Sequence, residues 1–176
     1  MIAPEINFAR RLVSRHDLKP PVKMFPLAKE YASVEKINIP FDFDGIAIKP
    51  RGEKPRILLN LQNTTPQRMR FTLAHELGHV IIPWHLGMII EQDVGRRPTI
   101  QQNDSQEAEA NRFASELLMP SDWVRKAVDD YDEPQGVVDH IRVNAKVSFQ
   151  AAIIRTVPFN GVDLGSFSPP FTIATL

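Results

Sequence analysis

An α+β fold is the class this sequence predicts: a small antiparallel sheet packed on one central apolar helix, with further helices before and after it. Three observations carry that reading. Residues 37–43 alternate apolar and polar side chains, the period of two of a half-buried strand. Residues 71–82 are apolar on nearly every side, a pattern a helix tolerates only when buried. Segments 5–15 and 105–119 repeat apolar residues at helical spacing with charges between them.

The elements follow in order. Ile6, Ala9, Leu12 and Val13 share one face of a first amphipathic helix, with Arg10, Arg11 and Arg15 opposite. After Pro20-Pro21, a second short helix is expected from Pro26 to about Val34. Ile37, Ile39, Phe41 and Phe43 then mark a strand that Pro40 pushes to a sheet edge. The turn pair Asp44-Gly45 leads into Ile46-Ala47-Ile48, and Ile57-Leu58-Leu59-Asn60 gives a third strand. Thr64-Thr65-Pro66-Gln67 reads as a helix start, with a threonine cap, proline in the first turn and a capping box if Thr64 is the cap. Pro83 stops that helix. Residues 85–103 lack periodicity, and so long a connection suggests a functional lid. Helical patterning returns at 105–119, ends at Pro120, resumes behind Ser121 as a cap, and continues as two short helices around Val147-Ser148. The tail from Gly161 is expected to be extended or a late strand.

Composition narrows the function. A chain of 176 residues has the size of one ordinary domain, so residues 1–176 are expected to fold together. There is no cysteine, which excludes disulfides and thiolate metal sites and leaves histidine and carboxylate as ligands. Net charge is zero, so nothing draws the whole molecule to nucleic acid or an anionic membrane. No run approaches the roughly 20 apolar residues of a membrane span, and the first sixteen residues lack the apolar core of a secretory signal. The expected location is the cytoplasm.

His75-Glu76-Leu77-Gly78-His79 carries the chemistry. Histidines four apart lie on one helix face with Cβ atoms about 5–6 Å apart, so both rings reach one ion. Zinc takes imidazole nitrogen at about 2.0–2.1 Å, and catalytic zinc usually keeps three protein ligands and a water. Glu76 follows the first ligand and is placed as general base for attack on a carbonyl, then as the acid that protonates the leaving amine. Either histidine alone would read as a surface or satisfied core residue. Together in a helix otherwise built of Phe71, Leu73, Ala74, Leu77, Val80 and Ile81, unpaired imidazoles and a buried carboxylate would be costly, and a metal removes that cost. Gly78 costs the helix about 1 kcal/mol relative to alanine, which implies that something packs close between the histidines.

The third ligand has two candidates. His85 has the spacing of the pattern HExxHxxGxxH, but Ile82 stands where that pattern needs a turning glycine and Pro83 follows, so His85 is poorly placed to swing back. Glu107 lies at the edge of a stripe formed by Ala110, Phe113, Ala114, Leu117 and Leu118, whereas Glu109 falls on the opposite side with Arg112 and Glu116. The alternative for Glu107 is a capping arrangement with Asp104. We assign His75, His79 and Glu107 as ligands. Asn111, one turn beyond Glu107, is assigned as a hydrogen-bond partner of a ligand.

The runs Arg70-Phe71-Thr72-Leu73-Ala74-His75-Glu76-Leu77-Gly78-His79 and Glu107-Ala108-Glu109-Ala110-Asn111-Arg112-Phe113-Ala114, with Leu117-Leu118-Met119-Pro120, closely resemble the ImmA/IrrE family of metallopeptidases. The resemblance covers about residues 5–157, and residues 158–176 form an extension it does not reach. It implies a zincin-like α+β domain and zinc as the cofactor. It also implies a protein partner, a helix-turn-helix repressor encoded nearby whose cleavage relieves transcriptional repression. The Asn111 assignment draws on the same match.

Two readings from other classes compete. Residues 138–155 have the cadence of a helix-turn-helix, which suggests a DNA-binding regulator, although the second helix offers little beyond Gln150 and Arg155 to read DNA. A basic face around Arg142, Lys146 and Arg155 would favour that reading. A non-catalytic zinc or protein-binding module is the other, if residues 85–103 block the site. His16, Tyr131 and His140 lie outside the motifs and read as structural, and Arg70 reads as a support of the fold.

Overall fold

The structure is a computed structural model that describes residues 2–40, 43–50, 52–62, 64–85 and 104–160. Helices α1 (Pro4–Arg15) and α2 (Met24–Tyr31) precede three strands, β1 (Ser33–Ile37), β2 (Gly45–Ile48) and β3 (Arg56–Asn60). The central helix α3 (Pro66–Ile81) follows, and then α4 (Asp104–Leu118), α5 (Ser121–Asp130), α6 (Pro134–Ala145) and α7 (Phe149–Asn160). The expected connection over 86–103 and the expected extended tail from Gly161 lie outside the described residues. Among the described residues, no helix is long and apolar enough to cross a membrane.

The α+β architecture is as expected, but the sheet is mixed rather than antiparallel. Its order is β1-β3-β2, with β2 antiparallel to β3 and β1 parallel to it. The first strand also lies earlier than the alternating residues 37–43 suggested. Pro40 has no N–H for a ladder, and the side chain of Asn60 bonds backbone groups of Ile39 and Phe43. Its Nδ2 donates to the carbonyls of Ile39 (3.0 Å) and Phe43 (3.1 Å), and its Oδ1 accepts from the Ile39 N–H (3.3 Å).

Helix α3 packs against α2, the sheet and α4, and buries Leu73, Ala74, Leu77 and Val80 among Met24, Leu27, Ile57, Leu59, Phe113 and Leu117. Its cap is Thr65, whose Oγ1 accepts from the Arg68 N–H at 3.2 Å, so the capping box drawn from Thr64 and Gln67 is not the one formed. Arg70 supports the fold as expected, donating to the carbonyls of Val22 and Ala145.

Two further expectations are corrected. Ser121 does not cap α5 but is its first residue, and its Oγ donates to the Glu116 carboxylate at 2.6 Å. Glu116, assigned to an outward side, is 2% exposed and takes hydrogen bonds from Arg10, Arg155 and Ser121. A carboxylate can turn inward when fixed cations and hydroxyls replace its water. Ser148 does cap α7, accepting from the Ala151 N–H at 3.1 Å, and Lys146 makes the preceding turn in the left-handed region at φ 54°.

Candidate metal centre

Two helices bring the site together. The i, i+4 spacing puts His75 and His79 on one face of α3, and their Nε2 atoms are 3.0 Å apart. Helix α4 crosses that face and presents Glu107, whose carboxylate oxygens lie 3.0 Å from His75 Nε2 and 3.4 Å from His79 Nε2. The close approach of the helices depends on Gly78. A Cβ there would stand 3.0 Å from Phe113 Cδ1 and 3.5 Å from the Ala110 Cα, so Phe113 of α4 is the group that packs close against Gly78.

These three residues could hold one metal ion. Donors about 2.0–2.1 Å from a shared tetrahedral ion stand roughly 3.3 Å apart, close to the separations here. Protonation points the same way. His75 Nδ1 is 2.9 Å from Asn111 Oδ1, an acceptor, so the ring donates from Nδ1, and a neutral ring then turns a bare Nε2 toward Glu107 and His79. A lone pair facing a carboxylate lacks a donor between them, and a cation supplies what is missing.

Glu76 projects from α3 on the side of the sheet. Gly45 makes room for it, since a Cβ at Gly45 would lie 2.6 Å from Thr72 Cγ2 and 2.9 Å from Glu76 Cγ. The Asn60 N–H donates to the Asp44 carbonyl across the ladder, so Gly45 and Ala47 turn their backbone groups to the outer edge of β2. The Ala47 backbone hydrogen-bonds Glu76. Burial and then the Glu107 charge nevertheless push the Glu76 carboxyl up to about 8. Burial, followed by the neighbouring His75 and His85, holds the His79 imidazole down at about 3, so this ring is neutral and able to ligate.

His85 is not remote, as the missing glycine suggested, but it stands on the far side of His79. Its Nδ1 lies 3.0 Å from His79 Nδ1 and its Nε2 lies 2.9 Å from Glu109 Oε2. Glu109 also accepts from Trp84 Nε1 at 2.6 Å. Neither Glu109 nor Trp84 was singled out by the sequence, because helix periodicity says nothing about which loop returns to meet an exposed face. Asp104, proposed as a capping partner of Glu107, is itself the first residue of α4. His16 hydrogen-bonds Tyr31 at 2.7 Å and Tyr131 hydrogen-bonds His140 at 2.9 Å, each pair apart from the His75–His79–Glu107 group.

No curated protein matches this chain. A family model for the IrrE N-terminal-like domain of the M78 peptidases matches residues 32–156, from the residue before β1 into α7 and including every member of the histidine and glutamate cluster. With that match over most of its length, the chain belongs to the IrrE N-terminal-like family of metallopeptidases.

Proposed function

We propose that the chain is a zinc-dependent endopeptidase that cuts a helix-turn-helix transcriptional repressor in the cytoplasm, with His75, His79 and Glu107 as ligands. The observation that carries this reading is the convergence of two imidazole nitrogens and a carboxylate at mutual distances of 3.0 to 3.4 Å. A set of two histidines and one glutamate is among those zinc uses for catalysis. Zinc, when bound, polarises the scissile carbonyl and acidifies water.

The chain's own residues supply the rest. Glu76 takes the proton of the attacking water and passes it to the leaving amine as the C–N bond breaks. Asn111 accepts from His75 Nδ1 and so holds that ring in the tautomer that ligates through Nε2. The outer edge of β2 offers the backbone groups of Gly45 and the carbonyl of Ala47 to an extended peptide, which fits cleavage within an unfolded segment. Against the DNA-binding alternative, Arg155 does not contribute to a basic face: its guanidinium donates to Glu116, Ser121 and the Met119 carbonyl.

The test is incubation of the purified chain with the repressor encoded beside it, with and without chelator. Internal cleavage that chelator abolishes and zinc restores is expected. An intact repressor alongside trimming of short peptides from their ends would overturn the substrate, and chelator-insensitive cleavage would overturn the metal.

A further inference from the structure

Beyond the cluster, a second chain of polar groups runs outward from His79 to the surface of α4, and neutral rings along it order its donors and acceptors in one way. The Glu109 carboxylate accepts from Trp84 Nε1 and from His85 Nε2, at 2.6 and 2.9 Å. His85 therefore carries its proton at Nε2, and in a neutral ring its Nδ1 is bare. That bare nitrogen lies 3.0 Å from His79 Nδ1, so His79 is the donor of the pair. A neutral His79 protonated at Nδ1 has its lone pair at Nε2, the atom that faces His75 and Glu107.

We propose that His85 and Glu109 are positioning residues that set the tautomer and ring orientation of His79, an inference that rests on the metal-site reading above. His85 is 1% exposed, so water does not compete for its ring nitrogens. Its backbone is held as well. Lys49 Nζ donates to the carbonyls of Ile82 (3.0 Å) and His85 (3.4 Å), and Gln106 Nε2 donates to the Trp84 carbonyl (3.3 Å). The turn after Pro83 is thus fastened to the residue after β2 and to the first turn of α4. A ligand histidine whose second nitrogen donates to a fixed acceptor is both oriented and made a stronger base, and loss of such a partner typically costs about 10 to 100-fold in metal affinity. His75 has Asn111 for this purpose, and His79 has the longer relay through His85 to Glu109.

The experiment titrates the full metal-stripped chain with Zn2+ alone, in competition with a chromophoric chelator, and reads the protonated ring nitrogens of the zinc-loaded chain by 15N NMR. His85→Phe and Glu109→Ala are each expected to weaken zinc binding by about 10 to 100-fold, and Glu109→Gln, which keeps an acceptor, to restore it to near the wild-type value. In the wild type, His79 is expected to hold its proton on Nδ1, with that signal shifted in Glu109→Ala. Glu109 is on the surface, its side chain 21% exposed, so its variants answer the question even if His85→Phe does not fold. Zinc affinity in Glu109→Ala within twofold of wild type, or a zinc-bound His85 ring, would overturn the relay while leaving the metal site standing. Wild-type chain that takes up no zinc would overturn both.

Discussion

Phe113 of α4 lies against Gly78 of α3, with its ring edge 3.0 Å from the point where a Cβ on Gly78 would sit. Phe113 is fully buried and would have to give by a few tenths of an ångström, whereas the Ala110 backbone at 3.5 Å is in ordinary contact. Alanine at 78 gains about 1 kcal/mol in helix propensity, against overpacking that typically costs about 1 to 3 kcal/mol. We expect Gly78→Ala to be destabilising by about 1 kcal/mol net, and to weaken metal binding by pushing α4 and Glu107 away. In a Phe113→Leu background the same substitution should become neutral or stabilising. A double-mutant cycle by urea denaturation of the metal-free chain checks the sign change.

The proposed roles separate by substitution. Glu76→Gln should retain one zinc per chain and lose hydrolysis, since it removes the base and leaves both imidazoles and Glu107 in place. His75→Ala, His79→Ala and Glu107→Ala should each lose zinc. Metal that binds only the folded chain stabilises it by about 4 kcal/mol at a thousandfold excess over Kd, so those three variants should also lose the rise in melting temperature that zinc gives the wild type. Metal content and thermal melts with and without chelator decide it; full activity in Glu76→Gln would remove the glutamate from the mechanism.

Stability of the metal-free chain should depend on pH with a sign set by two buried groups. Glu76, raised from 4.5 to about 8, keeps its proton in the folded state where the unfolded chain has lost it, so stability falls as pH rises from 4.5 to 8. His79, lowered from 6.5 to about 3, acts oppositely: its contribution is present above pH 6.5 and is lost as pH falls toward 3. The two oppose each other between pH 4.5 and 6.5, and above 6.5 only Glu76 remains. From pH 6.5 to 8 the metal-free chain should lose up to about 1.4 kcal/mol per pH unit. Glu76→Gln should flatten that slope, and so should zinc, because a nearby cation favours the ionised carboxylate. Denaturant midpoints across this range test it; an unchanged slope in Glu76→Gln would assign the effect elsewhere.

The buried Glu116 should be among the most sensitive positions outside the metal centre. It ties α1, α5 and α7 together through Arg10, Ser121 and Arg155. Glu116→Ala leaves Arg155, its side chain only 13% exposed, without its anion. Removing one partner of a buried pair costs about 3 to 5 kcal/mol. Calorimetry should show that loss while zinc binding by the folded fraction is preserved.

Local rules were enough for much of this molecule. The i, i+4 geometry placed His75 and His79 together, Pro83 ended their helix, Ser148 capped α7, and Gly78 announced a close neighbour, because each depends on residues within a turn or two along the chain. The apolar stripe of α4 likewise turned Glu107 inward. What lies opposite a face is a different matter. Only the tertiary structure decided that β1 runs parallel to β3, and that the Asn60 side chain bonds the backbone of Ile39 and Phe43. The same holds for Glu116, which turns into a cluster of arginines, and for His85, which meets His79 on its outer nitrogen with Glu109 behind it. Apart from the His79–His85 pair, six positions apart, those outcomes join residues 17 to 106 positions apart, and hydrophobic periodicity carries no information about which distant group supplies the missing donor or acceptor.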